Sequence, residues 1–168
     1  MKIILKTKRL YLREFIPSDG FHFYVLNNDK EVLKYTGDIP FLTEKEALKF
    51  IENYNEYKKN GFGRWAVCLK ENHEFIGWCG LKRVNDVVDL GFRFYKTYWN
   101  NGYATEASKA CIIYGFKSLK LDKIVARAYE KNKASIKVIQ KCNLKFQKKI
   151  IYDNVPAVLF NISNSNQF

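Results

Sequence analysis

The stretch "YWNNGYATEA", Tyr98 to Ala107, sets a crowded glycine turn directly against a run of small helix formers. Upstream, "VVDLGFRFY" (87–95) has the β-branched and aromatic content of a strand. Downstream, Ala104, Ala107, Ala110, Cys111 and Tyr114 fall on one face of a helix running to about Ser118, small enough to pack closely on a sheet. A strand ending at Phe94, a short loop, and Gly102 opening a helix leave several backbone N–H groups unpaired at the positive end of a helix dipole. That arrangement predicts an anion site built from the amides of Asn100, Asn101, Gly102, Tyr103, Ala104 and Thr105. Gly102 has no Cβ to keep a diphosphate from the main chain, and Ala104 keeps the next contact small. A loop-to-helix junction can also use glycine for its φ angle alone, so the turn acquires its meaning from its surroundings.

On the N-terminal side, residues 3–13 alternate in their second half, Leu10 and Leu12 against Arg9, Tyr11 and Arg13, and predict one opening strand. "PSDGFHFYVLNN" offers Ser18 and Asp19 as caps of a short helix. Thr43 and Glu46 form a T-x-x-E capping box ahead of Ala47, Phe50, Ile51, Tyr54 and Tyr57, a helix stopped by Gly61. Strand-like runs at 63–70, 74–84 and 87–95, separated by the short polar links "ENH" and "ND", predict consecutive antiparallel hairpins. After the glycine turn come a strand at 123–129, a helix at 132–142, and strands at 144–151 and 155–163. The pattern is mixed α/β, seven strands and four helices, with no internal repeat or linker. One domain over 1–163 is expected, with 164–168 a tail that frays.

Composition agrees with one domain. A chain of 168 residues with 47% hydrophobic and 16% aromatic content has the material for a single core, and a chain this long buries roughly 70% of its unfolded surface. No apolar run approaches the roughly 20 residues of a membrane span, and "MKIILKTKRLYLRE" becomes charged too early for a signal core. A cytoplasmic protein with no membrane partner is expected. Cys68, Cys79, Cys111 and Cys142 lack paired spacing and read as reduced core thiols, with no metal implied. The net charge of +12, from 29 Lys and Arg against 17 acids, is dispersed rather than blocked. It suits a solvated lysine surface or an anionic ligand, and no helix-turn-helix, RNP or zinc pattern accompanies it, so no nucleic-acid partner is expected.

Six segments in order, "TKRLYLREF", "GFGRWAVCLKENHEFIGWCGL", "DLGFRF", "YWNNGYATEA", "NKASIKVIQKCNLKF" and "NVPAVLFNI", make nearly the whole chain resemble the Gcn5-related N-acetyltransferase (GNAT) family, in its ribosomal-protein N-terminal acetyltransferase branch. The resemblance implies a single GNAT-like domain with a mostly antiparallel mixed sheet of about seven strands flanked by about four helices. It implies acetyl-CoA as co-substrate, with the backbone of Phe92, Arg93 and Phe94 pairing with the pantetheine arm and the loop from Asn100 to Thr105 holding the pyrophosphate. The family's R/Q-x-x-G-x-G/A pattern stands here as Trp99 to Ala104, with Trp first. Asn132 matches the asparagine that hydrogen-bonds the cofactor arm, and would equally serve as a helix N-cap. Ser135 matches the serine proposed to protonate the departing thiolate; many relatives carry a tyrosine seven residues after the asparagine, where Ile139 stands here.

Acetyl transfer to an amine needs a neutral nucleophile, a stabilised oxyanion and a proton for the thiolate. An α-amine with pKa near 8 is neutral roughly one time in ten at pH 7, a lysine only about once in two thousand, so a protein N-terminus needs less help from a base. The resemblance makes Asp89 the base candidate, since it stands three residues before Phe92, where histone-acetyltransferase relatives place a glutamate on the corresponding strand; Glu74 and Glu31 are weaker competitors. An amide of the strand is the expected oxyanion donor. Tyr35, Phe41, Arg64 and Trp65 are candidate acceptor walls, the acceptor being a protein N-terminus or a small-molecule amine, and the assembly a monomer or homodimer. The alternative is a non-catalytic domain that binds acetyl-CoA as a sensor or scaffold.

Overall fold

A computed structural model of the chain describes residues 2–164. The tail expected to fray lies, apart from Asn164, outside the described residues. Among those residues an eight-stranded sheet runs in the order β1-β2-β3-β4-β5-β6-β8-β7. Its strands are β1 (Ile3–Lys6), β2 (Leu10–Arg13), β3 (Arg64–Leu69), β4 (Phe75–Val84), β5 (Val87–Phe94), β6 (Lys123–Tyr129), β7 (Lys145–Tyr152) and β8 (Val155–Ser163). The helices are α1 (Asp19–Leu26), α2 (Lys30–Leu33), α3 (Glu44–Glu52), α4 (Glu56–Asn60), α5 (Tyr103–Lys117) and α6 (Lys133–Lys141). Every strand junction is antiparallel except β5 against β6.

The mixed α/β architecture is the expected one, with the short helix α2 added and two further local corrections. The single opening strand is a hairpin: the Thr7 amide donates to the Leu10 carbonyl at 2.9 Å, and the Thr7 hydroxyl accepts from the Leu10 amide at 3.0 Å. A side-chain hydroxyl thus does what Gly, Asn or Pro does in most turns. The helix from Thr43 breaks after Glu52, and its second part, α4, ends on Gly61 in the left-handed region at φ +76°. Thr43 does cap α3 through the Glu46 amide, but the Glu46 carboxylate takes the Leu42 amide at 2.9 Å.

The two faces of the sheet are covered differently. On one, α5 lays Ala107, Cys111, Ile112 and Phe116 on Leu10, Leu12, Trp65, Val67, Cys79, Leu81, Val88, Leu90 and Phe94. On the other, α1 and α3 bring Phe23, Ala47 and Ile51 over Tyr11, Ala66, Cys68 and Phe75. The buried fork between Arg13 and Asp19, at 2.6 and 2.7 Å, ties α1 to β2. All four cysteines are free and buried. Among the described residues no helix is long and apolar enough to cross a membrane.

Candidate active site

The site begins where the one parallel junction fails. β5 pairs with β4 along its whole length, from Val87 opposite Val84 to Phe94 opposite Gly77. Against β6 it registers at a single position, Asp89 opposite Val125. Beyond that vertex the two strands separate, so the β6-facing backbone of Leu90 to Phe94 has no ladder partner among the described residues. Unpaired strand groups keep their demand for partners, and an extended ligand lying in the gap would meet it.

Side-chain alternation divides the splayed strand between the two faces. Val88, Leu90 and Phe94 enter the core under α5, with Phe92 packed beside them. Asp89, Gly91 and Arg93 therefore take the other face. There Asp89, buried, receives Arg64 Nη2 at 2.6 Å and Arg127 Nε at 3.2 Å. Arg64 comes from β3 and Arg127 from β6, so one carboxylate pins three strands at the vertex of the gap. Arg64 is itself held: its amide donates to Tyr54 Oη at 2.7 Å, and its carbonyl accepts from Tyr57 Oη. Burial pushes the Tyr54 phenol up to about 12 and Tyr57 higher still, so both stay neutral. Gly91 leaves room for the Arg64 guanidinium, since a Cβ there would sit 2.6 Å from Nη2. Both oxygens of Asp89 thus face guanidiniums, an arrangement that suits a structural pin better than a proton acceptor. Glu74, in the β3–β4 turn, and Glu31, in α2, are exposed and outside this cluster.

At the open end of β5 the chain makes a 3₁₀ turn, Lys96–Tyr98, and enters the glycine loop. Asn100 and Gly102 both take left-handed conformations, at φ +64° and +80°. Gly102 is the N-cap of α5 and makes no side-chain cap, so the first amides of that helix are left for another partner. Trp99, where the family pattern has Arg or Gln, donates its indole N–H to the Phe94 carbonyl at 2.9 Å and so fastens the loop to the splayed strand.

A second fastening was not assigned from sequence. Arg9, just before β2, donates from Nη1 to the Asn101 carbonyl at 3.0 Å and from Nε to Glu106 at 2.7 Å, and its guanidinium lies 4.3 Å from the centre of the Tyr103 ring. Glu106 also accepts from the Thr7 hydroxyl at 2.6 Å and the Arg9 amide at 2.9 Å. Burial alone would raise the Glu106 pKa; the bonds from Thr7 and Arg9 outweigh it and hold the group below its ordinary value. The "TKR" triplet and the Glu in "ATEA" were the available signal, but the two stand 97 residues apart.

Across the gap, α6 begins at Asn132, whose Oδ1 accepts the Ser135 amide at 3.1 Å. The cap uses the oxygen of that side chain and leaves its NH₂ to donate elsewhere. Ser135 is half-buried in the first turn, and Ile139 points into the core.

Of the four acceptor-wall residues, Trp65 is a correction. It is 1% exposed and meets Tyr114 of α5 edge-on at 5.5 Å, on the core side of the sheet. The period of two that turns Arg64 toward Asp89 turns Trp65 away. Tyr35 and Phe41 lie on the segment between α2 and α3, on the Arg64 side, Phe41 packing on the second core. That segment is fastened to the splayed strand, since Arg93 donates to Asp38 Oδ2, while its other terminal nitrogen donates to Asn27 Oδ1 at the end of α1.

The family model described as "Acetyltransferase (GNAT) domain" matches residues 9–145. The chain belongs to the GNAT acetyltransferase family. "Uncharacterized N-acetyltransferase p20" of Bacillus licheniformis is 34% identical over 148 residues, 86% of this chain and 82% of that protein. Among solved structures, an acetyltransferase (GNAT family) from Bacillus anthracis superposes with a TM-score of 0.84 at 26% identity, over 98% of this chain and 99% of that one. A ribosomal-protein-S5-alanine acetyltransferase from Vibrio fischeri shares the fold at a TM-score of 0.82 and 18% identity, over 96% and 97% of the two chains.

Proposed function

We propose that this GNAT protein transfers the acetyl group of acetyl-CoA directly to a primary amine in a ternary complex. The observation that carries the reading is the register of β5 on β6: one paired residue, then an opening lined by strand backbone and ending at a side-chain-free helix N-terminus. The backbone of Phe92 to Phe94 pairs with the pantetheine arm, the amides from Asn100 to Thr105 take the diphosphate, and the Asn132 NH₂ donates to the arm. Acetyl-CoA supplies the activated acyl group. The amine nitrogen attacks the thioester carbonyl carbon, an amide of β5 holds the developing oxyanion, the carbon–sulfur bond breaks, and Ser135 hydrogen-bonds the departing thiolate, which takes up a proton. The amine proton leaves to water, which an α-amine permits because roughly one in ten is already neutral at pH 7. Positioning then supplies much of the acceleration, since well-oriented groups reach effective molarities of about 10⁵ to 10⁸ M.

Asp89 enters this scheme as the pin of the gap. Asp89→Asn separates the two roles: a base gives a loss of turnover that is steepest at acidic pH with acetyl-CoA affinity spared, whereas a pin gives weaker acetyl-CoA binding and an unchanged pH profile. The same pairing of Asp89 favours a second reading, a domain that binds acetyl-CoA without turning it over. Thiol release in the presence of a panel of N-terminal peptides, aminoglycosides, polyamines and amino sugars decides between them. Release above the amine-free rate is expected, and release at that background with every amine would leave the sensor reading.

A further inference from the structure

Arg93 is held in an unusual way for a cation of this face. Arg64 and Arg127 share Asp89, a buried carboxylate on the rigid sheet. Arg93, two positions beyond Gly91, has a side chain only 10% exposed, yet its carboxylate partner, Asp38, is 54% exposed and belongs to the segment between α2 and α3. Gly37 beside it is left-handed at φ +72°, and Ile39 and Leu42 further on are almost fully exposed. A half-exposed aspartate is easily resolvated by water, whereas a nine-tenths-buried guanidinium cannot be left without a counter-charge.

The rest of the surroundings are those of a binding place. Nη1 and Nη2 of Arg93 reach two separate oxygens, one from Asn27 and one from Asp38, the pattern that the two oxygens of one carboxylate satisfy together. The guanidinium lies 5.4 Å from the centre of the Trp78 ring. Among the described residues the Trp78 indole N–H is buried without a partner, as is the hydroxyl of Tyr129, which lies against Gly37 at the end of β6. Two unsatisfied donors beside an exchangeable carboxylate leave this face short of acceptor oxygens.

Resting on the acetyl-transfer reading above, we infer that Arg93 receives a carboxylate carried by the acceptor within a few bonds of its amine, and that Asp38 occupies that place in the free protein. Arg93 stands on the strand that holds the thioester in that reading, so an acceptor anchored there presents its nitrogen beside the splayed backbone. Such a carboxylate is supplied by a free amino acid or by an acidic first residue of a peptide. Asp38 then acts as an internal competitor, and acceptor affinity is reduced by the fraction of time it stays bound.

The experiment compares acetyl transfer to peptides beginning with Glu or Gln, to glutamine and its α-amide, and to spermidine, in the wild type, Asp38→Asn and Arg93→Lys. The wild type is expected to prefer one acidic member over its matched amide, and the member shows whether the carboxylate comes from a peptide side chain or a free α-carboxylate. Asp38→Asn is expected to lower KM for the acidic member about threefold to tenfold. Arg93→Lys, which loses the planar fork, is expected to cut the acid-to-amide ratio of kcat/KM by about 10- to 100-fold. Equal use of acids and amides, preference for spermidine, or an Asp38→Asn ratio unchanged from wild type overturns this assignment and leaves acetyl transfer standing. Transfer to no amine, with acetyl-CoA still bound, overturns both. The Asp38 variant lies on an exposed segment and keeps the test decisive should the Arg93 variant fail to fold.

Discussion

The two sides of β5 are built by different means. On the α5 side, the candidate cofactor site is made mainly of backbone from one continuous stretch, Phe92 to Thr105, closed by a left-handed glycine and fastened at one remote point, Arg9 to Glu106, with the Asn132 side chain added from across the gap. On the other side, the candidate acceptor face is made of side chains from β3, β5, β6 and the segment between α2 and α3, joined by ion pairs. A backbone site depends little on side-chain identity, because amides are present whatever the sequence. A side-chain site depends on each residue that lines it, and here those residues are rich in guanidinium.

That contrast can be broken in stages. The largest expected effect belongs to the vertex: Asp89→Ala leaves two guanidiniums facing each other and should cost about 3–5 kcal/mol of unfolding free energy in urea melts. A cost under about 1 kcal/mol, the worth of an ordinary surface pair, would show that the strands hold their angle without the carboxylate. Next comes Gly102→Val, which forces a β-branched residue to φ +80° at the helix entrance. Strain of about 1–3 kcal/mol at that position should weaken acetyl-CoA binding by about 10- to 100-fold in calorimetry, with acceptor discrimination untouched.

Glu106→Gln sharpens the comparison from the cofactor side. It weakens the tie to Arg9 and should cost about 1 kcal/mol at pH 7. Its signature is in the pH dependence. Glu106 has a folded pKa below its ordinary 4.5, so its contribution is full above that value and is lost as pH falls through the depressed one. Melting temperature should therefore decline less in Glu106→Gln than in wild type as pH is taken below 4.5; parallel declines would remove the carboxylate from the fastening. The smallest effect is expected of Ser135→Ala, a several-fold loss of kcat with acetyl-CoA KM unchanged, since a hydroxyl contributes about 1 kcal/mol as a hydrogen-bond donor. Wild-type turnover would leave Ser135 as a first-turn helix residue.

The same division explains what could be read in the sequence. β3 to β5, α5, β6, α6 and the β7–β8 hairpin were legible because their periodicity is local and their links are short and polar. The turn at Thr7 was not, because a hydroxyl stands in for the usual turn residues, and the break between α3 and α4 was not, because Tyr54 and Tyr57 keep helical spacing while serving to clasp Arg64. Asn100 to Thr105 could be proposed from the sequence because an anion site at a helix entrance needs only contiguous amides. Arg9, Arg127 and Asp38 received no role, and Arg64 was placed as a wall without its carboxylate, since what gives each its role is a partner up to 97 residues away. Trp65 was misplaced as a wall because a strand aromatic says nothing by itself of which face it takes.

The central claim is that the gap between β5 and β6 takes the pantetheine arm while the glycine loop takes the diphosphate. Amide hydrogen exchange, followed with and without acetyl-CoA, tests it most directly. Protection of Leu90 to Phe94 and of Asn100 to Thr105, with the β3–β4 hairpin unchanged, is the expected result. Binding of acetyl-CoA that leaves both segments exchanging at their free rates would contradict it.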